Sequence, residues 1–253
     1  MSHVLHRRET ADPEQLLRNL ASDPRQAARW ILAAAQAGEL EAQALLGQIL
    51  LDGHGITRDP LLARSWFAIA AEGGHAMATN MLGRCCEHGW GGAVDLPAAV
   101  RHYRTAAERG LDWGMYNYAN LLATGRGLAV DEAQAFSWYQ RAAALGHAKS
   151  MNLVGRYYEA GQVVAADPWR AVAWYRRSAE AGDFRGQFSY ATVLLGLGRW
   201  DEARHWLQQA LERGHLQFLR KASEQLQRAA WPQLAEITAT YARRCAELES
   251  GQS

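Results

Sequence analysis

Three cysteines, two adjacent at Cys85 and Cys86 and the third far away at Cys245, are too few and too poorly spaced for a disulfide framework. A reducing compartment is expected, and we read it as cytoplasmic. Charge of one sign is equally scarce: 27 basic against 26 acidic residues give a net charge of +1, so no global field attracts nucleic acid or an anionic membrane. No stretch approaches the roughly 18 consecutive apolar residues of a membrane span. His6, Arg7 and Arg8 near the amino terminus are not followed by the apolar run of a signal peptide. A soluble chain is expected.

Catalytic signatures are missing too. There is no Ser-His-Asp, Cys-His or phosphate-loop pattern. The glycines Gly89, Gly91 and Gly92 of "HGWGG" follow a helical pattern rather than a strand and lack the lysine of a nucleotide loop. Cys85 and Cys86 with His88 have no second cluster at ligand spacing. They occupy the apolar positions taken by Leu121-Leu122 and Tyr157-Tyr158, so packing explains them. His75, His147 and His215 follow a helix-ending glycine, at a position that also accepts Leu111 and Asp183, which points to a role in the turn. His102 reads as a packed side chain rather than a general base. No catalytic residue, cofactor or metal is expected, and we expect no enzyme.

What the chain does have is a period. Leu46-Gly47 returns as Leu82-Gly83, Tyr118-Ala119, Val154-Gly155 and Tyr190-Ala191, a constant step of 36 residues. A period of this length marks one supersecondary unit that buries its apolar face by stacking on its neighbours. Helical spacing in two stretches per period makes that unit a helical hairpin. In its first helix one small position holds Ala42, Ala78, Gly114, Ser150 and Gly186; another holds Gly47, Gly83, Ala119, Gly155 and Ala191. The second helix carries Ala63, Ala99, Ala135 and Ala171, then Trp66, His102, Trp138 and Trp174 three residues on, then Phe67, Tyr103, Tyr139 and Tyr175. Gly74, Gly110, Gly146 and Gly182 close it, supplying the left-handed residue that ends a helix. The tryptophans Trp30, Trp66, Trp138, Trp174 and Trp206 share one position and read as core. Trp90 and Trp113 do not share it and read as the most exposed aromatics. Trp169, Trp200 and Trp231 lie near helix starts, where packing on the preceding unit is the ordinary explanation.

The segments "LLGQILLDGHGITRDPLLARSWFAIAAEGGH" (Leu45 to His75) and "LVGRYYEAGQVVAADPWRAVAWYRRSAEAGD" (Leu153 to Asp183) resemble the Sel-1-like repeat family, relatives of tetratricopeptide repeats with a longer loop inside the hairpin. The resemblance runs from Trp30 to about His215. It implies an all-α fold, a right-handed α–α superhelix that generally mediates protein contacts. Two departures stand out. Gly47 to Ala63 is 16 residues but Ala191 to Ala203 is 12, so the fifth unit lacks four loop residues. At the amino end Ala27, Trp30 and Ala34 fit a second helix whose partner would be Asp12 to Ala21. We expect an extension and capping helix over 1–22, repeats over 23–215, and capping helices with a tail over 216–253. Within the last region, Leu216 to Ala230 and Gln233 to Leu248 are helical by pattern, with Pro232 between them. Met1 to about Thr10 and Glu249 to Ser253 are expected to lack order.

The other face of the first helix carries the functional expectation. Three residues before the Leu-Gly glycine stand Ala44, Asn80, Tyr116, Asn152 and Phe188; one after it stand Gln48, Arg84, Asn120, Arg156 and Thr192; six before it stand Glu41, Met77, Trp113, Lys149 and Arg185. These positions line the concave groove in tetratricopeptide-type superhelices. Asparagine offers donor and acceptor, arginine a planar fork, and aromatics large contact area. The expected groove is therefore Asn80, Arg84, Trp113, Tyr116, Asn120, Lys149, Asn152, Arg156, Arg185 and Phe188, taking a peptide or protein segment of acidic or carboxylate character. The bland alternative pairs Arg84 with Glu87 and Arg156 with Glu159, three residues on along the same helices. A hydrolase-like enzyme of the repeat family and an RNA-binding solenoid are the rival functions.

Overall fold

The computed structural model describes residues 23–250, so the helix expected over Asp12 to Ala21 lies outside the described residues. Among the described residues there are thirteen α-helices, one short 3-10 turn and no strand. The helices are α1 (Pro24–Gln36), α2 (Leu40–Asp52), α3 (Pro60–Glu72), α4 (Ala76–His88), α5 (Leu96–Glu108), α6 (Asp112–Thr124), α7 (Glu132–Ala144), α8 (Ala148–Ala160), α9 (Pro168–Glu180), α10 (Phe184–Gly196), α11 (Trp200–Arg213), α12 (Leu216–Ala229) and α13 (Ala235–Ser250). None is long and apolar enough to cross a membrane. The chain forms two compact parts. The first runs to Gly114 and includes Arg126–Leu128; the second comprises Met115–Gly125 and everything from Ala129 on.

The hairpins before α10 are punctuated by the same chemistry. Gly53, Gly89 and Gly161 end α2, α4 and α8 in the left-handed region, where a side chain would be strained. Six residues later an aspartate caps the start of the second helix. The carboxylates of Asp59, Asp95, Asp131 and Asp167 each accept the backbone N–H three residues on, satisfying one of the donors a helix start leaves open. The same aspartates donate their own N–H back to the first helix, at Leu50, Cys86, Leu122 and Tyr158. His75, His147 and His215 take the N-cap of α4, α8 and α12 through the side chain, as Asp183 does for α10. Their expected turn role is thus a capping role.

The core ladder is not the tryptophan series. Trp30 is 45 % exposed, and Trp66, Trp138, Trp174 and Trp206 are only partly buried. The buried rungs are the next residues along: Ile31, Phe67, Tyr103, Tyr139, Tyr175 and Leu207. The reason is helical phase. Ala63, Phe67 and Ala70 are spaced i, i+4, i+7 and share one face, whereas Trp66 is rotated about 100° from Phe67. The small first-helix residues receive these rings: a Cβ on Gly47, Gly83 or Gly155 would lie 2.6, 2.5 or 2.6 Å from Phe67, Tyr103 or Tyr175. Two of the tryptophans instead sit under arginines, with Arg141 4.0 Å above Trp138 and Arg177 4.3 Å above Trp174.

Three residues join α10 to α11, against seven in the preceding hairpins, as the shortened fifth period requires. In the second part α12, the turn Pro232–Leu234 and α13 follow, burying Leu219, Leu226, Leu234 and Ile237. The Tyr241 hydroxyl donates to the Leu207 carbonyl at 2.8 Å, tying α13 to α11. Glu249 and Ser250 are helical, contrary to the expected loose end, because Glu249 accepts from Arg220 Nε at 2.8 Å. Trp200 and Trp231 pack edge-on at 6.2 Å. Trp169 differs from the expectation: it is 86 % exposed and more open than Trp90 or Trp113.

Candidate functional site

In the first part, α2 and α4 present Gln48 and Arg84 at equivalent positions, one residue past the small glycines. With Leu51, Asp52, Arg58 and Trp90 they line an open cleft of about 350 Å³. Its side chains hold one another in place. Arg58 Nε donates to the Leu51 carbonyl at 2.9 Å, and Gln48 Nε2 donates to Asp52 Oδ2 at 2.7 Å. The Arg84 guanidinium lies 4.9 Å over the Trp90 ring, with Nη1 3.7 Å from Met81 Sδ. Trp90 rests in turn against His88, ring centroids 4.9 Å apart. Arg58 and Trp90 come from the loops after α2 and α4, so loop and helix build the cleft together.

Glu87 does not pair with Arg84. Its carboxylate accepts the Tyr103 hydroxyl at 2.7 Å and binds Arg126 at 2.6 Å. Burial, reinforced by Glu87 itself, pushes the Tyr103 phenol far above its ordinary range, so it stays a donor. Arg84 thus reaches the cleft without a carboxylate of its own among the described residues. The second part repeats the arrangement: Glu159 accepts the Tyr175 hydroxyl at 2.6 Å, and Arg156 on α8 is exposed with no ion pair among the described residues. The intrahelical pairs that would have made these arginines inert are absent because a core tyrosine takes each glutamate. Where Ala123 replaces the glutamate, the Tyr139 hydroxyl donates instead to Asn120 Oδ1 at 2.6 Å.

The remaining expected groove residues divide by exposure. Trp113 is 39 % exposed and Arg185 is exposed, its guanidinium 4.5 Å over Phe184 and Nη2 3.2 Å from His215 Nε2. Tyr116 packs on His147 and Tyr139 at centroid distances of 4.7 and 6.2 Å, with the Lys149 ammonium 5.9 Å from its ring. Asn80, Asn152 and Phe188 are buried. Asn152 Oδ1 has no hydrogen-bond partner among the described residues, and Phe188 lies edge-on to Phe218 at 5.8 Å. Arg58, Leu51 and Asp52 were not singled out from the sequence. At Arg58 the later repeats carry Val94, Val130 and Ala166, so periodicity gives no signal there.

The other polar candidates are structural. Cys85 and Cys86 are buried, and burial raises the Cys85 thiol to about 11. No cluster of three or more His, Cys, Asp or Glu side chains suited to a metal occurs among the described residues.

A family model for the Sel1 repeat matches residues 18–39, 40–75, 76–111, 114–147, 148–183 and 201–215. Among solved structures the chain is similar to a Sel1 repeat protein from Oxalobacter formigenes, with a TM-score of 0.80 and 24% identity over 93% of this chain and 99% of that one. It is also similar to c5321, a protective antigen of uropathogenic Escherichia coli strains displaying an SLR fold, with a TM-score of 0.71 and 29% identity over 94% of this chain; it spans about half of that protein, 54%. The immunity protein Pa5087 from Pseudomonas aeruginosa shares the fold at a TM-score of 0.54 and 17% identity, over 83% of this chain and 82% of that one. No curated protein matches the sequence. With six copies of the repeat over most of its length and the all-α solenoid fold of its solved relatives, the chain belongs to the Sel1 repeat family, whose members generally act as protein-interaction scaffolds.

Proposed function

We propose that the protein is a non-enzymatic, cytoplasmic adaptor that binds a peptide or protein segment on the first-helix face of its repeats, and that the bound segment is acidic. The reading rests on one observation. Arg84 and Arg156 occupy the same repeat position, and the glutamate nearest each in sequence is taken by the hydroxyl of a core tyrosine. A cation with no ion pair of its own among the described residues, the Arg84 guanidinium lying 4.9 Å over the Trp90 ring, suits a carboxylate supplied by a partner. A hydrogen bond to a charged group contributes about 1.5–3 kcal/mol, so such a contact at either arginine separates an acidic segment from a neutral one. Three buried, unpaired cysteines suit a reducing compartment.

A displayed random-peptide library panned on the purified protein tests this. Enriched clones should carry Asp or Glu, and Arg84→Ala with Arg156→Ala should abolish enrichment while leaving the circular dichroism spectrum unchanged. Enrichment without acidic bias, or equal enrichment on the folded double variant, would refute the acidic-groove reading.

A further inference from the structure

The rim of the repeat holds an aromatic in every hairpin but one. At two repeat positions, a buried one on the first helix and a partly buried one on the second, stand Leu46 with Trp66, Tyr118 with Trp138, Val154 with Trp174, and Tyr190 with Trp206. Where both are aromatic the rings meet edge-on, at 5.7 Å for Tyr118 and Trp138 and 5.9 Å for Tyr190 and Trp206. In the hairpin of α4 and α5 the pair is Leu82 with His102. An open slot of about 290 Å³ lies there, lined by Ala68, Ala71 and Glu72 of α3, Thr79 and Leu82 of α4, and His102 and Arg109. Arg109 Nη1 donates to Thr79 Oγ1 at 2.9 Å, so the guanidinium is fixed in the wall rather than free to fall into the slot. The arginines that stack on Trp138 and Trp174 also have no counterpart: three residues beyond His102 stands Thr105, which lines the slot as well. At this volume, just under the roughly 300–1,000 Å³ of small-molecule sites, the slot suits one side chain rather than a metabolite.

The same chain carries a tryptophan with nowhere to go. Trp169, in the first turn of α9, is 86 % exposed, and no ring or cation contacts it among the described residues. Its repeat equivalents are Leu61, Pro97 and Ala133, so the fold does not require an indole there. It is preceded by the apolar loop residues Val163 and Val164. An exposed knob and an unfilled aromatic slot on one chain point to each other.

We propose that the His102 slot is a self-association site that receives Trp169 of a second copy of this chain. Knob and slot are different surfaces, so the contact is heterologous, each copy offering its slot to one neighbour and its indole to another. A buried tryptophan covers about 150–250 Å², far below the roughly 1,200 Å² of a stable interface. Association is therefore weak and concentration-dependent. It is independent of the first-helix face.

Sedimentation velocity of the full chain over about 0.01–1 mM, the range of a weak contact, tests it. The weight-average sedimentation coefficient should rise with concentration. Trp169→Ala keeps the slot and loses the knob; His102→Trp keeps the knob and fills the slot. Each should stay monomeric alone, and an equimolar mixture should form a dimer that grows no further. Arg84→Ala with Arg156→Ala should associate like the unaltered chain. A chain monomeric throughout the range, either variant associating undiminished, or a mixture of the two folded variants failing to associate, overturns the proposal. Should circular dichroism show His102→Trp misfolded, Ala68→Leu, which adds bulk to another lining residue of the slot, takes its place with the same outcomes.

Discussion

Trp174 and Tyr175 are adjacent aromatics with opposite roles, and replacing each in turn by alanine separates them. Tyr175 is 2 % exposed, lies against the backbone of Gly155 and donates its hydroxyl to Glu159. Emptying such a site costs about 3–5 kcal/mol for a large aromatic, since the transfer free energy and a cavity term add. Trp174 is only partly buried, and its specific partner is the Arg177 guanidinium at 4.3 Å. Half the burial of a large side chain plus a surface cation–π contact amounts to about 1–2 kcal/mol. For a chain of this size each kcal/mol moves the melting temperature by about 2–4 °C. Tyr175→Ala should therefore lower it by roughly 6–20 °C, and Trp174→Ala by roughly 2–8 °C. Differential scanning calorimetry on both variants at matched pH and concentration gives the comparison. Equal losses, or a greater loss for Trp174→Ala, would mean that the tryptophans are the rungs of the core after all.

Gly155→Ala should destabilise by about 1–3 kcal/mol in denaturant titration despite alanine's better helix propensity, because the new methyl meets the Tyr175 ring at 2.6 Å. Asp167→Ala removes the carboxylate that accepts the Arg170 N–H at 3.0 Å, and a loss of about 0.5–2 kcal/mol is expected in the same assay. Burial raises Cys85 from 9.0 to about 11, so the folded thiol stays protonated near neutrality and should resist Ellman's reagent until the chain is unfolded. The unfolded chain releases that proton first, so the Cys85 contribution to stability is full below pH 9 and declines as pH rises towards 11, which melts followed across that interval should register.

Most of the architecture is legible from spacing. The 36-residue step and the glycines Gly74, Gly110, Gly146 and Gly182 that close each second helix are local signals whose physical roles depend on little else, and the structure places those glycines in the left-handed region. The choice between Trp174 and Tyr175 for the core is not local. Both are large and aromatic, and only the phase set by Ala171 and Ala179 turns Tyr175 inward. The arginines of the first-helix face could be picked out by composition, but whether they were already neutralised depended on where Glu87 and Glu159 point, which a core hydroxyl decides. Arg58 and Trp90 lie in loops whose sequence varies from repeat to repeat, so no pattern announces the cleft they complete. Trp169 is the converse: a residue type usually taken for core, left outside because its repeat position is an exposed helix start.

The core tyrosine also couples positions that look independent on the surface. Arg84 comes with Glu87 and Arg156 with Glu159, whereas Asn120 comes with Ala123, because in each hairpin one of the two positions must accept the hydroxyl of Tyr103, Tyr175 or Tyr139. Changing Asn120 alone to arginine would strip Tyr139 of its acceptor and replace it with a second donor. Introducing the glutamate at Ala123 in the same step would restore the acceptor and leave the new guanidinium available. The first-helix face of this chain is thus rewritten two residues at a time, with the phenol in the core as the grammar that decides which pairs are allowed.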